Sequence, residues 1–368
     1  MRFHSPIAII DASPTEARIF SKRIASLIDL QEHDGKVSKF KDGETKIVID
    51  QSVRGHDAYL FQAYMPQIGE RLYELQNMTS ACRTGGQAAK VTAVMPYCFG
   101  QRGERPTRAR ESVPAAVVAR TLYSVGIRKV LTTGLHTDAI QTIFDVVGDD
   151  GIKVEHLEFQ PLAANYSLRV AKERGYSHLA FGSPDSGGTK RARNLRKVVM
   201  SKRGDLELTS SIATADKYRA DDDVVEVEEL AGDVAGKPVI LYDDIGDTLG
   251  TIKGAVELYA KHGAGPIHVV LIHPVLGDGY ERNLESIVNN HCVAEVVFGN
   301  TLPLKPLARS LDKVKIVPLE PFFAQAIRRL NKDESISELH DYDQIMGIYR
   351  EYSTNVNIEK DKKELILG

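Results

Sequence analysis

The chain has 368 residues, enough for two domains of ordinary size. It is 42% hydrophobic and 26% charged with a formal net charge of −3. That balance excludes a general nucleic-acid binder, which would be basic, so any phosphate recognition has to be local. Three scattered cysteines, Cys82, Cys98 and Cys292, form no CxxC pair, which argues against a disulfide framework and fits a reducing cytoplasm. No apolar run approaches the roughly 20 residues of a membrane span. Asp11 and Glu16 interrupt any leader-like stretch, so a cytoplasmic protein with neither nucleic-acid nor membrane partners is expected.

Residues 7–11 read as a strand. Ser13 and Glu16 make a capping-box pattern ahead of a helix over 17–28. Strand-like runs at 37–40 and 45–49 flank FKDGE, whose Asp42-Gly43 is a hairpin signal. A strand at 58–62, a helix over 69–84 and a strand at 91–95 follow. A helix is predicted over 113–125, with strands at 130–133 and 152–157. The second half repeats the rhythm: helix 163–174, strand 178–182, a basic helix from 190, strand 206–212, then a strand from 239 and a helix from 252. Later strands are expected at 268–272, 293–298 and 314–317. The tail from 355 is charge-rich and reads as a solvated end. Alternating strands and helices imply an α/β protein with mainly parallel sheets flanked by helices. Ligands on such sheets sit beyond the carboxyl ends of the strands.

Five polar loops fall there: FKDGE, PYCFGQRGER, LHTD, SPDSGG and DDIGDT. The last is the most informative. Val239–Tyr242 is apolar, Asp243, Asp244, Asp247, Thr248, Gly250 and Thr251 follow, and then a helix starts. Backbone N–H groups and hydroxyls at a helix N-terminus suit a phosphate. The two leading carboxylates would repel it and suit sugar hydroxyls or a metal. QRGERPTRAR clusters Arg102, Arg105, Arg108 and Arg110, which suits a polyphosphate through charge-assisted bonds. His136, with Asp145 and Asp149 beyond the next helix, and Asp185 are candidate magnesium-associated positions. DKYR sets Lys217 and Arg219 one residue apart on what reads as a flexible loop. Read singly, each loop also has an ordinary structural explanation: a turn, a cap or a solvated charge cluster.

Taken together, and in this order, FKDGE, SVRGHD, PYCFGQRGER, LHTDAIQTIFD, SPDSGGTKRAR, DKYR, DDIGDT and NTLPL resemble the ribose-phosphate diphosphokinase (phosphoribosyl pyrophosphate, PRPP, synthetase) family from about Ile7 to Leu339. The resemblance implies two phosphoribosyltransferase-like domains, 1–158 and 159–339, with an extension over 340–368. It implies transfer of a diphosphoryl group from Mg-ATP to ribose 5-phosphate, with Mg²⁺ as cofactor. By the same resemblance, Asp243, Asp244, Asp247, Thr248, Gly250 and Thr251 hold ribose 5-phosphate. Phe40, Asp42 and Glu44, reaching from a neighbouring subunit, and Arg102 and Glu104 hold ATP. His136 and Asp185 are metal-associated, and Lys217 and Arg219 are catalytic. Ser52, Arg54, Ser335 and Ser337 match an allosteric site, and a dimer or hexamer is implied. The chain departs from the family at Gly103, usually a glutamine, and at Gly134, usually an aspartate; Tyr218 stands where a basic residue is common. These departures leave a non-catalytic regulatory homologue as the alternative, with a PRPP-consuming phosphoribosyltransferase as the second.

Overall fold

Buried parallel strands read as continuous apolar runs rather than alternating ones, because helices cover both faces of the sheet. IAIID and DAYLF are of this kind, and every residue of both is buried. The computed structural model describes residues 5–354 other than 15–16, 64–66 and 220–225, and not the side chains of 33–34, 216–219 and 226–228. Its first half runs β1 (Ile7–Asp11), α1 (Ile19–Leu27), β2 (Glu32–Lys39), β3 (Thr45–Ile49), β4 (Asp57–Phe61), α2 (Ile68–Ser80), β5 (Lys90–Val94), α3 (Pro114–Ser124), β6 (Lys129–Thr133), α4 (Ala139–Asp145) and β7 (Lys153–Leu157). The second runs α5 (Gln160–Arg174), β8 (His178–Ser183), α6 (Thr189–Lys202), β9 (Thr209–Arg219), β10 (Glu226–Ala231), β11 (Val239–Ile245) and α7 (Gly250–Lys261). It continues with β12 (Ile267–His273), α8 (Tyr280–Asn289), β13 (Val293–Gly299), α9 (Pro306–Ser310), β14 (Val314–Val317), α10 (Glu320–Asn331) and α11 (Tyr342–Thr354).

Two seven-stranded sheets result, ordered β3-β2-β1-β4-β5-β6-β7 and β10-β9-β8-β11-β12-β13-β14. The second order is the first repeated. In each sheet the hairpin strand at one edge is antiparallel, and the other described pairs are parallel. Strand order reverses between β1 and β4, and between β8 and β11, so each half has a crevice at that switch point. The helices after β4 and β11 even start alike: Gln67 and Leu249, their N-caps, both adopt the left-handed conformation at φ 71° and 63°. In the first half the protein's own polar groups meet beside the switch point. Arg71 pairs with Glu74 at 2.6 Å, Gln62 donates to the Arg71 carbonyl, and the Ser13 hydroxyl lies 3.3 Å from Gln62 Oε1. The sheets share a core: Phe20 of α1 packs edge-on against Phe323 of α10, with ring centroids 5.3 Å apart.

Several elements differ from expectation. Ser13 does not cap α1; its carbonyl accepts Arg18 Nε at 2.6 Å, and Arg18 takes the N-cap position without a side-chain cap bond. The second helix ends at Ser80 and continues as one π turn, Ala81–Gly85. The strand expected at 206–212 begins at Thr209 and runs on to Arg219, so DKYR forms the end of β9 rather than a loop. Its backbone pairs with β10, Lys217 opposite Glu228 and Arg219 opposite Glu226. The side chains of Lys217 and Arg219 lie outside the described residues, as do 221–223 and the tail from 355. Helix α11 was not anticipated. It buries Ile345, Met346, Tyr349 and Tyr352 against α10 and α5, and Tyr349 donates its hydroxyl to the Pro318 carbonyl.

Beneath β1, the Ser21 hydroxyl lies 2.7 Å from Asp11 Oδ2 and 2.9 Å from Glu32 Oε1. One hydroxyl proton cannot serve both, so a carboxyl proton is favoured here. Burial, then the Asp11 charge, pushes Glu32 up to about 7 from its usual 4.5. Between those values the folded state binds more protons than the unfolded one, so this group's contribution falls as pH rises. Glu32→Gln should therefore be progressively less destabilising, relative to wild type, from pH 4.5 to 7. The difference should change by about 1–2 kcal/mol after allowance for partial solvent screening. Denaturant titrations of both proteins at each pH measure it, and a difference that stays flat contradicts the assignment.

Candidate active site

The crevice at the β8/β11 switch point is built by four strand-to-helix turns. β11 extends three residues past Tyr242, to Ile245, so Asp243 and Asp244 lie in the strand itself. Gly246 follows, where a Cβ would come within about 3 Å of Leu249, Leu271 and Phe298, which explains the small residue. Leu249, a departure in an otherwise polar loop, is buried in the core and anchors the turn. Asn283 of α8 donates to the Thr248 carbonyl at 2.8 Å, and Gly250 N points at the Thr248 hydroxyl. Gly250 and Thr251 therefore open α7, with N–H groups available to an anion.

Two loops of the first half reach this crevice. Arg102 binds Asp247 at 2.5 Å, and His136 Nδ1 binds Asp244 Oδ2 at 2.7 Å. The buried Gln101 side-chain oxygen Oε1 accepts the His136 backbone N–H at 3.0 Å, locking the two loops together. A cavity of 640 Å³ beside the Arg102–Asp247 pair is lined by Arg102, Gly103, Arg105, Thr107, Asp247 and Lys305 among others; Asp243, Asp244, His136, Thr248, Gly250 and Thr251 are not in that lining. Glu104 is not in that lining; its carboxylate lies 3.5 Å from Arg105.

A residue that the sequence did not single out dominates the electrostatics. Arg191, in the first turn of α6, binds Asp243 Oδ1 at 2.6 Å and Asp244 Oδ2 at 2.7 Å. Burial works against the charge on Asp244, yet the His136 bond and Arg191 hold this carboxyl below its usual range. Asp243 is pushed up by burial and by its neighbour's charge, despite Arg191. The hydrogen bond to Asp244 raises His136. With Nδ1–H donated to Asp244, the other ring nitrogen is left for a ligand or a proton.

Asp145 and Asp149, the carboxylates considered beside His136, are not its partners. Asp244 is, and the Asp149 N–H donates to Tyr123 instead. Asp185 Oδ1 accepts the Gly188 N–H at 2.8 Å, which shapes the turn into α6. Among the described residues no three His, Cys, Asp or Glu side chains are grouped to hold a metal. Two carboxylates already bonded to a guanidinium are a poor resident cage. Magnesium fits such a place when it arrives with its own phosphate and water ligands.

The two departing glycines have local causes. A Cβ at Gly103 would lie 2.5 Å from the Pro114 ring, which opens α3. Gly134 sits at φ +58°, and a Cβ there would lie 2.7 Å from His273 Nε2. That nitrogen bonds the Gly134 carbonyl at 2.9 Å, and Thr301 bonds Nδ1. Burial pushes His273 down to about 4, so it is neutral and donates through Nε2. The remaining positions are dispersed. Phe40, Asp42 and Glu44 form an exposed hairpin tip, where the Glu44 N–H bonds Asp42, and none of them lines the cavity. Ser52 and Arg54 line a separate depression beside Gly85 and Gly86. Ser335 and Ser337 bond each other next to Arg329.

The chain resembles known proteins in sequence and in fold. Residues 11–126 match the model of the N-terminal domain of ribose phosphate pyrophosphokinase, and 224–341 match the phosphoribosyl synthetase-associated domain. The chain is 35% identical to a ribose-phosphate pyrophosphokinase of Clostridium acetobutylicum, over 87% of this chain and 93% of that one. It is 35% identical to that of Pasteurella multocida (87% and 95%) and 34% to that of Bacillus caldolyticus (87% and 94%). The crystal structure of phosphoribosylpyrophosphate synthetase from Mycobacterium smegmatis superposes with a TM-score of 0.75 at 28% identity, covering 89% of this chain and 99% of that one. Across nearly the whole of both halves, then, sequence and fold agree, and the chain is an enzyme of the ribose-phosphate pyrophosphokinase family.

Proposed function

We propose that this enzyme transfers the β,γ-diphosphoryl group of Mg-ATP to the 1-hydroxyl of ribose 5-phosphate, giving PRPP and AMP. The observation that carries the reading is the Arg102–Asp247 ion pair. It joins a basic loop suited to a polyphosphate to the sugar-phosphate loop, so donor and acceptor would meet in one crevice. Residues 1–158 would supply the donor side and 159–339 the acceptor side, with 340–368 as an extension.

On this reading Asp243 and Asp244 take the ribose hydroxyls, and Asp247, Thr248, Gly250 and Thr251 surround the 5-phosphate. Arg102 would face the ATP phosphates and Glu104 would belong to the ATP side of the site, so Arg102 exchanges Asp247 for the donor as ATP enters. Phe40, Asp42 and Glu44 would hold adenine from a second copy of the chain, which makes a dimer the smallest complete unit. The exposure of Phe40, 54%, supports that assignment. The sugar oxygen forms a bond to the β-phosphorus while the bond from that phosphorus to the α,β-bridging oxygen breaks. AMP leaves with that oxygen, and the hydroxyl proton goes to solvent. Catalysis of this kind relies on positioning and charge stabilisation. His136 and Asp185 would lie beside the magnesium of Mg-ATP, which would supply neutralisation of the phosphate charge. Lys217 and Arg219 would close on the β-phosphate. Ser52, Arg54, Ser335 and Ser337 would form an allosteric nucleotide or phosphate site.

Incubated with Mg-ATP and ribose 5-phosphate, the protein should release AMP and PRPP in equal amounts; absence of AMP above background rules the reading out in favour of a regulatory homologue. Lys217→Ala should lower kcat by roughly 10³-fold or more while equilibrium ATP binding persists. Near-normal turnover would remove Lys217 from the mechanism. Restoring the family's aspartate with Gly134→Asp should lower the melting temperature by several degrees and leave kcat no higher, because the left-handed backbone and His273 oppose a side chain. A stable, faster variant would show that packing is not what keeps this glycine.

A further inference from the structure

Asp243 and Asp244 are consecutive residues of a strand, so their side chains leave its backbone in opposite directions. Even so, one guanidinium reaches both. Arg191 Nη1 meets Asp243 Oδ1 at 2.6 Å and Nη2 meets Asp244 Oδ2 at 2.7 Å. Both partners are largely shielded: the Arg191 side chain is 19% exposed and that of Asp244 5%. The planar fork sets the separation of the two carboxylates, which a single ammonium cannot do. The fork is itself fixed from behind. Asp185 binds the Gly188 N–H and the Ser183 hydroxyl donates to the Asp185 carbonyl, so the turn launching α6 is rigid. His136 holds Asp244 from the other half of the chain.

Each carboxylate has about four acceptor sites, and Arg191 occupies one oxygen of each. What remains is a pair of acceptors at a separation fixed by Arg191, which suits two hydroxyls on adjacent carbons. We propose that Arg191 is a positioning residue for the acceptor sugar, and that its fork on Asp243 and Asp244 makes the site select a vicinal diol over a deoxy sugar. The inference rests on the reading of Asp243 and Asp244 as the ribose-hydroxyl acceptors.

The test compares wild type, Arg191→Lys and Arg191→Ala in AMP release at saturating Mg-ATP, with ribose 5-phosphate and with 2-deoxyribose 5-phosphate. In Arg191→Lys the KM for ribose 5-phosphate should rise about tenfold or more, the KM for Mg-ATP should stay within about twofold, and the preference for ribose over deoxyribose should fall at least about fivefold. Millimolar guanidinium should bring the ribose 5-phosphate KM of Arg191→Ala back towards wild type. An unchanged ribose preference in Arg191→Lys overturns the proposal. So does an equal rise of both KM values, or a loss in Arg191→Ala that tracks its melting temperature and resists guanidinium. If the lysine variant fails to fold, the guanidinium response of the alanine variant decides. If neither folds, Arg191 is a structural residue and the proposal fails. Wild type run alongside separates the two layers: no wild-type AMP removes the underlying reading, whereas normal wild-type turnover with an unaltered ribose preference in the variant removes only the role of Arg191.

Discussion

Two neighbouring carboxylates at the mouth of a buried strand repel each other, and burial penalises their charge. The rest of the site is arranged to hold them still and to keep Asp244 ionised, while Asp243 is pushed up. Arg191 comes from the helix after β8 and His136 from the loop after β6 in the other sheet. Removing one partner of such a shielded cluster costs of order 3–5 kcal/mol, because the survivor is left uncompensated. The cluster therefore ties the two halves of the chain at the same point where they make the crevice. Stability and the geometry of the site rest on one set of contacts.

The family's departures fit this picture. Gly103 yields to the Pro114 ring and Gly134 to the His273 ring, so neither is a simple loss of a ligand. His273 supports the same loop that carries His136, through its bond to the Gly134 carbonyl. The backbone around His136 is held by an imidazole that burial keeps neutral, and its side chain by Asp244.

Much of this was legible in the sequence. Long apolar strands separated by polar turns announce a parallel α/β fold, because the hydrophobic period is a property of the local segment. Asp243, Asp244 and the loop behind them stood out because charge follows directly on an apolar run. Arg191 did not stand out. It lies in KRARNLRK, where five cations look alike, and only the direction of α6 distinguishes the one that faces Asp243. The reach of β9 through DKYR was also hidden, since a polar strand end is stabilised by its partner β10 and not by its own composition. Helix α11 carried a readable signal: Tyr342, Ile345, Met346, Tyr349 and Tyr352 follow helical spacing. It lies beyond Leu339, where the family resemblance ends, in the stretch 340–368 that reads only as an extension.

The two sheets repeat one strand order, so the fold produces two switch-point crevices, although one reaction needs only one. In the second half Arg191 clamps carboxylates with acceptor sites to spare. In the first, Arg71, Glu74, Gln62 and Ser13 bond one another beside a cavity of 510 Å³ lined by Ser13, Gln67, Glu70, Arg71 and Glu74. A repeated architecture can thus divide its labour by keeping both inherited clefts and lining them with different side chains. The first half keeps its own cleft at the switch point and lends other loops to the neighbour, as the Arg102 and His136 loops do across the junction.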